Sequence, residues 1–241
     1  VSLLTLDRVT KRFGGLTAVN QVTAEIHARD LVGIIGPNGA GKTTLFNLIS
    51  GFYAPEEGKI LFQGRNITGQ PPYEISRRGL CRTFQLVKPF GKLSVLENVM
   101  IGALSHLKRV GEARREALKI IEFCHLEAFR DMPAKSLPTG LRKRLEVARA
   151  LATRPRLLLL DEVMSGLNPT ELQEMIHLLR HLHEEGITLL VIEHIMAVIM
   201  QLCQRILVLH HGEKIAEGTP IEISRNPRVI DAYLGEELNL A

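Results

Sequence analysis

Cysteine is scarce in this 241-residue chain: Cys81, Cys124 and Cys203 are the whole complement, and no two lie at the spacing of a metal knuckle or a redox pair. That argues against a cysteine-built site and for buried thiols in a reducing compartment. Long apolar runs are missing too. The most apolar stretch, 187–203, is interrupted by Glu193 and His194, which makes it a poor bilayer span. The opening Val1-Ser2-Leu3-Leu4 has neither the basic region nor the long apolar core of a secretory signal. If the protein works at a membrane, something else anchors it. Charge of one sign is also in short supply: 30 Lys and Arg against 26 Asp and Glu leave a formal +4, too little to imply a nucleic-acid partner. Neither an internal repeat nor a low-complexity tract is present. What remains, 45% hydrophobic and 23% charged, is ordinary for a soluble globular protein. The length suits one generous domain or a core with an inserted subdomain.

The first third reads as strands. In 21–27, Val22, Ala24 and Ile26 alternate with Thr23, Glu25 and His27, the pattern of a strand with one buried face. Leu31 to Ile35, Leu157 to Leu160 and Thr188 to Ile192 are short, nearly unbroken apolar runs, as expected of strands covered on both sides. Separated by helical patterns, they predict an α/β core with a largely parallel sheet. The middle differs. Ser94-Val95-Leu96-Glu97 is a capping-box pattern, 112–126 and 141–153 read as helices, and no strand pattern occurs from about 86 to 153. The chain therefore divides into an α/β core, 1–85 and 154–241, and an inserted helical subdomain, 86–153. Further on, Thr170 is expected to cap a helix with the apolar face Leu172, Met175, Ile176, Leu179 and Leu182, closed by Gly186.

Gly36-Pro37-Asn38-Gly39-Ala40-Gly41-Lys42-Thr43 fits G-x-x-x-x-G-K-[ST]. A buried strand precedes it, and a helix from Thr44 to Ser50 follows, ended by Gly51. Glycines let successive N–H groups turn toward phosphate oxygens, and the helix N-terminus adds partial positive charge. In such a loop Lys42 reaches the outer phosphates of a nucleoside triphosphate, ATP here, and the Thr43 hydroxyl ligates Mg²⁺. The loop is expected at the surface. The strand 157–160 delivers Asp161 to its carboxyl end, where it can hold a magnesium-bound water, and Glu162 can orient the attacking water. Phosphoryl transfer runs mainly on positioning and charge stabilisation, so a metal holder and a water-orienting carboxylate are the minimum set. His194, just beyond Thr188–Ile192, falls near the same phosphate edge of the sheet and within reach of a γ-phosphate. Gln85, where the α/β pattern gives way to helices, can touch the metal site and the insert together.

In this order the P-loop, Gln85, Leu157–Glu162, Ser165-Gly166-Leu167-Asn168 and His194 resemble an ATP-binding-cassette (ABC) ATPase over essentially the whole chain. The resemblance implies a P-loop NTPase core with an antiparallel β portion and an inserted helical subdomain. It implies an adenine-stacking aromatic at Phe13, and nucleotide contacts along Gly36–Thr44, at Gln85, Asp161 and His194. It also implies a signature loop that meets the ATP of an opposing subunit. Leu137-Pro138-Thr139-Gly140-Leu141 stands where that family has Leu-Ser-Gly-Gly-Gln, Val163 where proline is usual, and Asn168 where aspartate is.

Gly51-Phe52-Tyr53, Arg82-Thr83-Phe84-Gln85, Gly166-Leu167-Asn168-Pro169 and Ile192-Glu193-His194 look like the ATPases of branched-chain amino-acid importers, with urea and short-amide importers of the same branch as the alternative. The implied partners are a second ATPase, preferably in a heterodimer, two permease chains and, indirectly, an extracytoplasmic binding protein. The implied place is the cytoplasmic face of the membrane. The groove near 85–90 would receive a cytoplasmic helix of the permease.

Rival readings are a soluble ABC-type ATPase of an assembly scaffold and another P-loop enzyme. The scaffold type often carries two cassettes or a long coiled-coil insert, and neither is present. A GTPase should show Asn-Lys-x-Asp, also absent. Arg142-Lys143-Arg144 and Arg114-Arg115 lack interleaved aromatics and read as solvated helix faces. His177 and His181 have zinc-ligand spacing but no third ligand.

Overall fold

A computed structural model describes residues 2–84 and 89–237, the side chains of 234–237 excepted. The N-terminal hairpin is β1 (Ser2–Phe13) and β2 (Leu16–His27), followed by β3 (Leu31–Ile35) and helix α1 (Lys42–Ile49). Next come β4 (Glu57–Phe62), β5 (Arg65–Asn66), α2 (Pro72–Arg77) and β6 (Leu80–Arg82). Helices α3 (Val95–Ala103), α4 (Val110–Phe123) and α5 (Thr139–Leu151) then separate β6 from β7 (Leu157–Asp161). The chain continues through α6 (Pro169–Glu184), β8 (Thr188–Ile192), α7 (Met196–Leu202), β9 (Arg205–His210), β10 (Glu213–Gly218), α8 (Pro220–Ser224) and α9 (Pro227–Glu237).

Two sheets result. One is antiparallel, in the order β2-β1-β4-β5; the other runs β10-β9-β3-β8-β7-β6, parallel except for β10. The apolar runs in β3, β7 and β8 are buried at every residue because both faces of that sheet are covered. Leu31, Leu158, Leu160, Leu189 and Val191 join the core shared with the helices. Val32, Ile34, Leu157, Leu159, Leu190 and Ile192 join Phe46 of α1 and the inner face of the antiparallel sheet. Helix α1 is thus held between the two sheets. All three cysteines are buried and free, and burial pushes the Cys124 and Cys203 thiols up to about 12.

The capping box at Ser94 forms as expected, with Glu97 N–H donating to Ser94 Oγ. Several boundaries differ. Helices α1, α4 and α5 each begin two residues earlier than the sequence pattern suggests and end one to three residues earlier, α5 starting immediately after Pro138. The cap of α6 is Asn168, not Thr170: Asn168 Oδ1 accepts from Glu171 N–H at 2.9 Å, and Pro169 takes the first helical position. Asparagine caps as well as aspartate, which accounts physically for Asn168 at that position. No helix among the described residues is long and apolar enough to cross a membrane.

Candidate functional site

The P-loop leaves β3 at Gly36 and enters α1, whose N-cap is Gly41 with φ 98° and no side-chain cap. Glycine is required there: a Cβ on Gly41 would lie 2.3 Å from Ala18 O, so β2 closes directly over the loop. Only part of the loop is superficial. Asn38, Gly39 and Thr43 are exposed, whereas Lys42 is 5% exposed. Its Nζ donates to Gly36 O at 2.6 Å and Pro37 O at 2.7 Å, so the ammonium sits inside the curve of the loop. The expectation of a surface loop therefore fails for its one cation. Phe13, at the end of the same hairpin that carries Ala18, is 43% exposed and meets Tyr53 edge-on at 5.3 Å.

The carboxyl end of β7 brings Asp161 to a cleft of about 800 Å³ that Thr43 also lines. Arg82 Nη2 donates to Asp161 Oδ2 at 2.7 Å. Asp161 Oδ1 is buried without a hydrogen-bond partner among the described residues. A hydroxyl and an unpartnered carboxylate oxygen in one cleft are hard donors, the set that suits Mg²⁺. Gln85, the third predicted ligand, lies outside the described residues. The preceding Phe84 is at the cleft, and its N–H donates to Glu146 Oε1 at 2.6 Å. Burial raises the Glu146 carboxyl and lowers the Lys143 ammonium.

Glu162 adopts φ 51°, in the left-handed region that a non-glycine residue enters only at a cost. Its N–H donates to Ile192 O at 3.0 Å, its carbonyl accepts from Lys143 Nζ at 3.0 Å, and its Oε1 meets His194 Nε2. The structure thus brings His194 directly to Glu162. Glu193 is 2% exposed, accepts from Met164 N–H at 2.7 Å, and is pushed up to about 7 by burial.

Of the signature segment, Leu137 and Gly140 are buried, while Pro138 and Thr139 are exposed at the start of α5. None of 137–141 lines the cleft that holds Thr43 and Asp161.

Sequence reasoning missed Arg82, Lys143, Glu146 and Glu193. Arg82 also donates to Asn47 Oδ1 at 2.6 Å, and a charge ending a three-residue strand has no periodicity to betray it. For Lys143 a signal existed: Gly140, Lys143 and Val147 follow helical spacing and are all buried. The solvated-face reading of 142–144 is therefore wrong for Lys143, and Arg144 pairs with Glu174 of α6. His181 meets the ring of Phe123 in a tilted contact, 4.5 Å between centroids.

The family model for the ABC transporter matches residues 19–165, and that for the branched-chain amino acid ATP-binding cassette transporter matches 213–239. The "High-affinity branched-chain amino acid transport ATP-binding protein BraF" of Pseudomonas aeruginosa is 40% identical, over 97% of this chain and 98% of its own length. The crystal structure of the ADP conformation of an ATP-binding cassette of an ABC transporter matches with TM-score 0.88 and 31% identity, over 98% of this chain and 99% of that one. A dimeric post-hydrolysis cassette bound to ADP and Pi matches with TM-score 0.81 and 28% identity, over 90% and 98%.

Proposed function

The chain belongs to the ABC transporter family, and from that premise we propose that it is the ATP-hydrolysing, energy-coupling subunit of an importer of branched-chain amino acids. The observation that carries the reading is the meeting of Thr43 and Asp161 in one cleft, with Glu162 and His194 in contact at the next position of the same strand end. The match of 213–239 to the branched-chain cassette family supports the cargo.

Gly36 to Thr44 bind the triphosphate through backbone N–H groups and the N-terminus of α1. Lys42 meets the outer phosphates, exchanging its two carbonyl contacts for them, and Phe13 stacks on the adenine. Thr43, Asp161 and Gln85 would hold Mg²⁺, which supplies charge neutralisation on the phosphates. Glu162 orients the attacking water and accepts its proton, while His194 fixes the Glu162 carboxylate and faces the γ-phosphate. The segment 137–141 serves the nucleotide of a second cassette, and a heterodimer is favoured. Residues 86–153 act as a helical subdomain. The groove between core and insert, near 85–90 and at the Phe52, Phe84 and Ile101 side of the cleft, receives a permease segment at the cytoplasmic face, two permease chains span the membrane, and an extracytoplasmic binding protein selects cargo.

The test is uptake by vesicles containing the complex purified through this chain. ATP-dependent leucine uptake that is lost in Glu162→Gln supports the proposal. Uptake of urea or a short amide instead would move the cargo and leave the ATPase. Purification without any polytopic membrane protein would favour an assembly-scaffold ATPase.

A further inference from the structure

The geometry points to Lys143 as a positioning residue that fixes the peptide of Glu162 from helix α5, and so ties the signature end of that helix to this chain's own water-orienting carboxylate. The inference rests on the reading of Glu162 and of 137–141 given above. A buried ammonium is costly unless its protons are used. Lys143 is 7% exposed and spends its protons on two backbone carbonyls, Glu162 O at 3.0 Å and Ser165 O. Those carbonyls flank the chain reversal after β7. Glu162 is the residue with φ 51°, so its side-chain direction depends on what holds its peptide. Ile192 O takes the N–H and Lys143 takes the carbonyl. Glu193 completes the arrangement, its Oε1 accepting from Met164 N–H at 2.7 Å in the same reversal.

The position of Lys143 on α5 gives this pin a second consequence. It lies one turn beyond Thr139 and Gly140, where the helix begins. A nucleotide of the opposing subunit that seats on 138–141 therefore presses on the element that carries Nζ. Packing transmits small shifts of a rigid helix to the groups bonded to it. A change in the pose of α5 becomes a change in the pose of the Glu162 peptide, so occupancy of one site is felt at the other through a single side chain.

The test uses the assembled transport complex, with Lys143→Met and Lys143→Arg each made in wild-type and Glu162→Gln backgrounds. Steady-state turnover is measured, and a fluorescent ATP analogue reports affinity on the full chain. Lys143→Met should lower kcat at least about tenfold, the scale of a sub-ångström misplacement of a reacting group, with KM and analogue affinity within about twofold. Lys143→Arg should recover most of the loss. In the Glu162→Gln background Lys143→Met should cost less than about twofold more, because the group it positions is already gone. Wild-type kcat in Lys143→Met, parallel loss of analogue affinity, or an undiminished further loss in the Glu162→Gln background would each overturn the inference. Wild-type turnover in Glu162→Gln alone would overturn the reading of Glu162 as well. If melting curves show that Lys143→Met does not fold, Lys143→Gln takes its place and is judged by the same criteria.

Discussion

Arg82 and Asp161 form an ion pair at 2.7 Å with side chains only 6% and 3% exposed, and the pair leaves one oxygen of Asp161 open. The guanidinium is further held by Asn47 Oδ1 and lies 5.3 to 5.9 Å from the rings of Phe46, Phe52 and Phe84. It joins α1, the loop after it and the carboxylate at the end of β7. Removing the cation strands a buried charge, so Arg82→Met should destabilise the chain by about 3–5 kcal/mol. The double variant Arg82→Met/Asp161→Leu should recover part of that. Urea denaturation of four proteins, the wild type, Arg82→Met, Asp161→Leu and the double variant, measures these differences, and additivity of the two changes would show that the pair is not coupled.

Lys42 fills the loop that it also arms. Lys42→Ala should weaken binding of a fluorescent ATP analogue severely. It should also lower stability by roughly 1–3 kcal/mol, because the Gly36 and Pro37 carbonyls lose their buried donor. Phe13→Ala removes an exposed ring and should cost roughly 1–3 kcal/mol of nucleotide affinity with little effect on melting. An unchanged analogue affinity in Lys42→Ala would sink the phosphate assignment.

Most of this framework was legible in the sequence because it rests on local rules. β3 and β8 occupy the residues their apolar runs define, and Ser94 caps α3. The glycine-rich segment lies between β3 and α1, and Asp161 and Glu162 lie at the end of β7, where spacing and strand pattern put them. What was not legible is long-range. Arg82 and Asp161 are 79 residues apart, and Lys143 reaches a carbonyl 19 residues away. No local pattern announces such pairings. The basic run 142–144 looked solvated because charge was weighed without its helical phase. The cap of α6 falls on Asn168 and not on the expected Thr170, because Pro169 suits the first helical position and so places the cap one residue before it.

Glu193 should make stability depend on pH. Burial raises its carboxyl from the ordinary 4.5 to about 7, against the pull of Lys143 and the Met164 N–H, with Glu162 adding repulsion. The native state therefore binds a proton between those values that the unfolded chain has released. The associated stability is fully present below about pH 4.5 and is lost as pH rises through about 7, a swing on the order of 3 kcal/mol. Glu193→Gln stays neutral, so its stability relative to wild type should rise from about pH 5 to about pH 8. Chemical denaturation across that range measures the difference. A constant offset would mean that Glu193 does not titrate there.

On the proposed role of Glu162 in orienting water, Glu162→Gln should slow hydrolysis far more than it weakens ATP binding, because such a carboxylate acts in the transition state. An ATP-bound dimer should accumulate and be visible by size-exclusion chromatography. Parallel losses of binding and turnover would make Glu162 a structural residue, a role its left-handed backbone and its contact with His194 could also serve.

The two ATP sites of the proposed heterodimer should be unequal. Pro138 is the N-cap of α5, with ψ 161° and no side-chain cap, so it offers neither a hydroxyl nor an N–H to a phosphate. Thr139 and Gly140 retain their N–H groups at the helix start, and Thr139 is exposed, so the loop is weakened and not disabled. A Cβ at Gly140 would lie 2.5 Å from Glu171 Oε1 of α6, so a side chain there has first to displace the end of that carboxylate. One charge-assisted hydrogen bond is worth roughly 1.5–3 kcal/mol, or about ten- to a hundred-fold in rate if made in the transition state. That loss falls on the partner's nucleotide, whereas Lys42, Glu162 and His194 are completed by the partner's loop. Glu162→Gln here should therefore abolish most turnover, and the corresponding change in the partner cassette should cost much less. Pro138→Ser should narrow the gap, since serine restores the hydroxyl and caps α5 by about 0.5–2 kcal/mol. Steady-state ATPase of the reconstituted complex, one variant at a time, decides it. Equal losses from the two glutamate changes would show that both sites fire alike and that Pro138 is functionally silent.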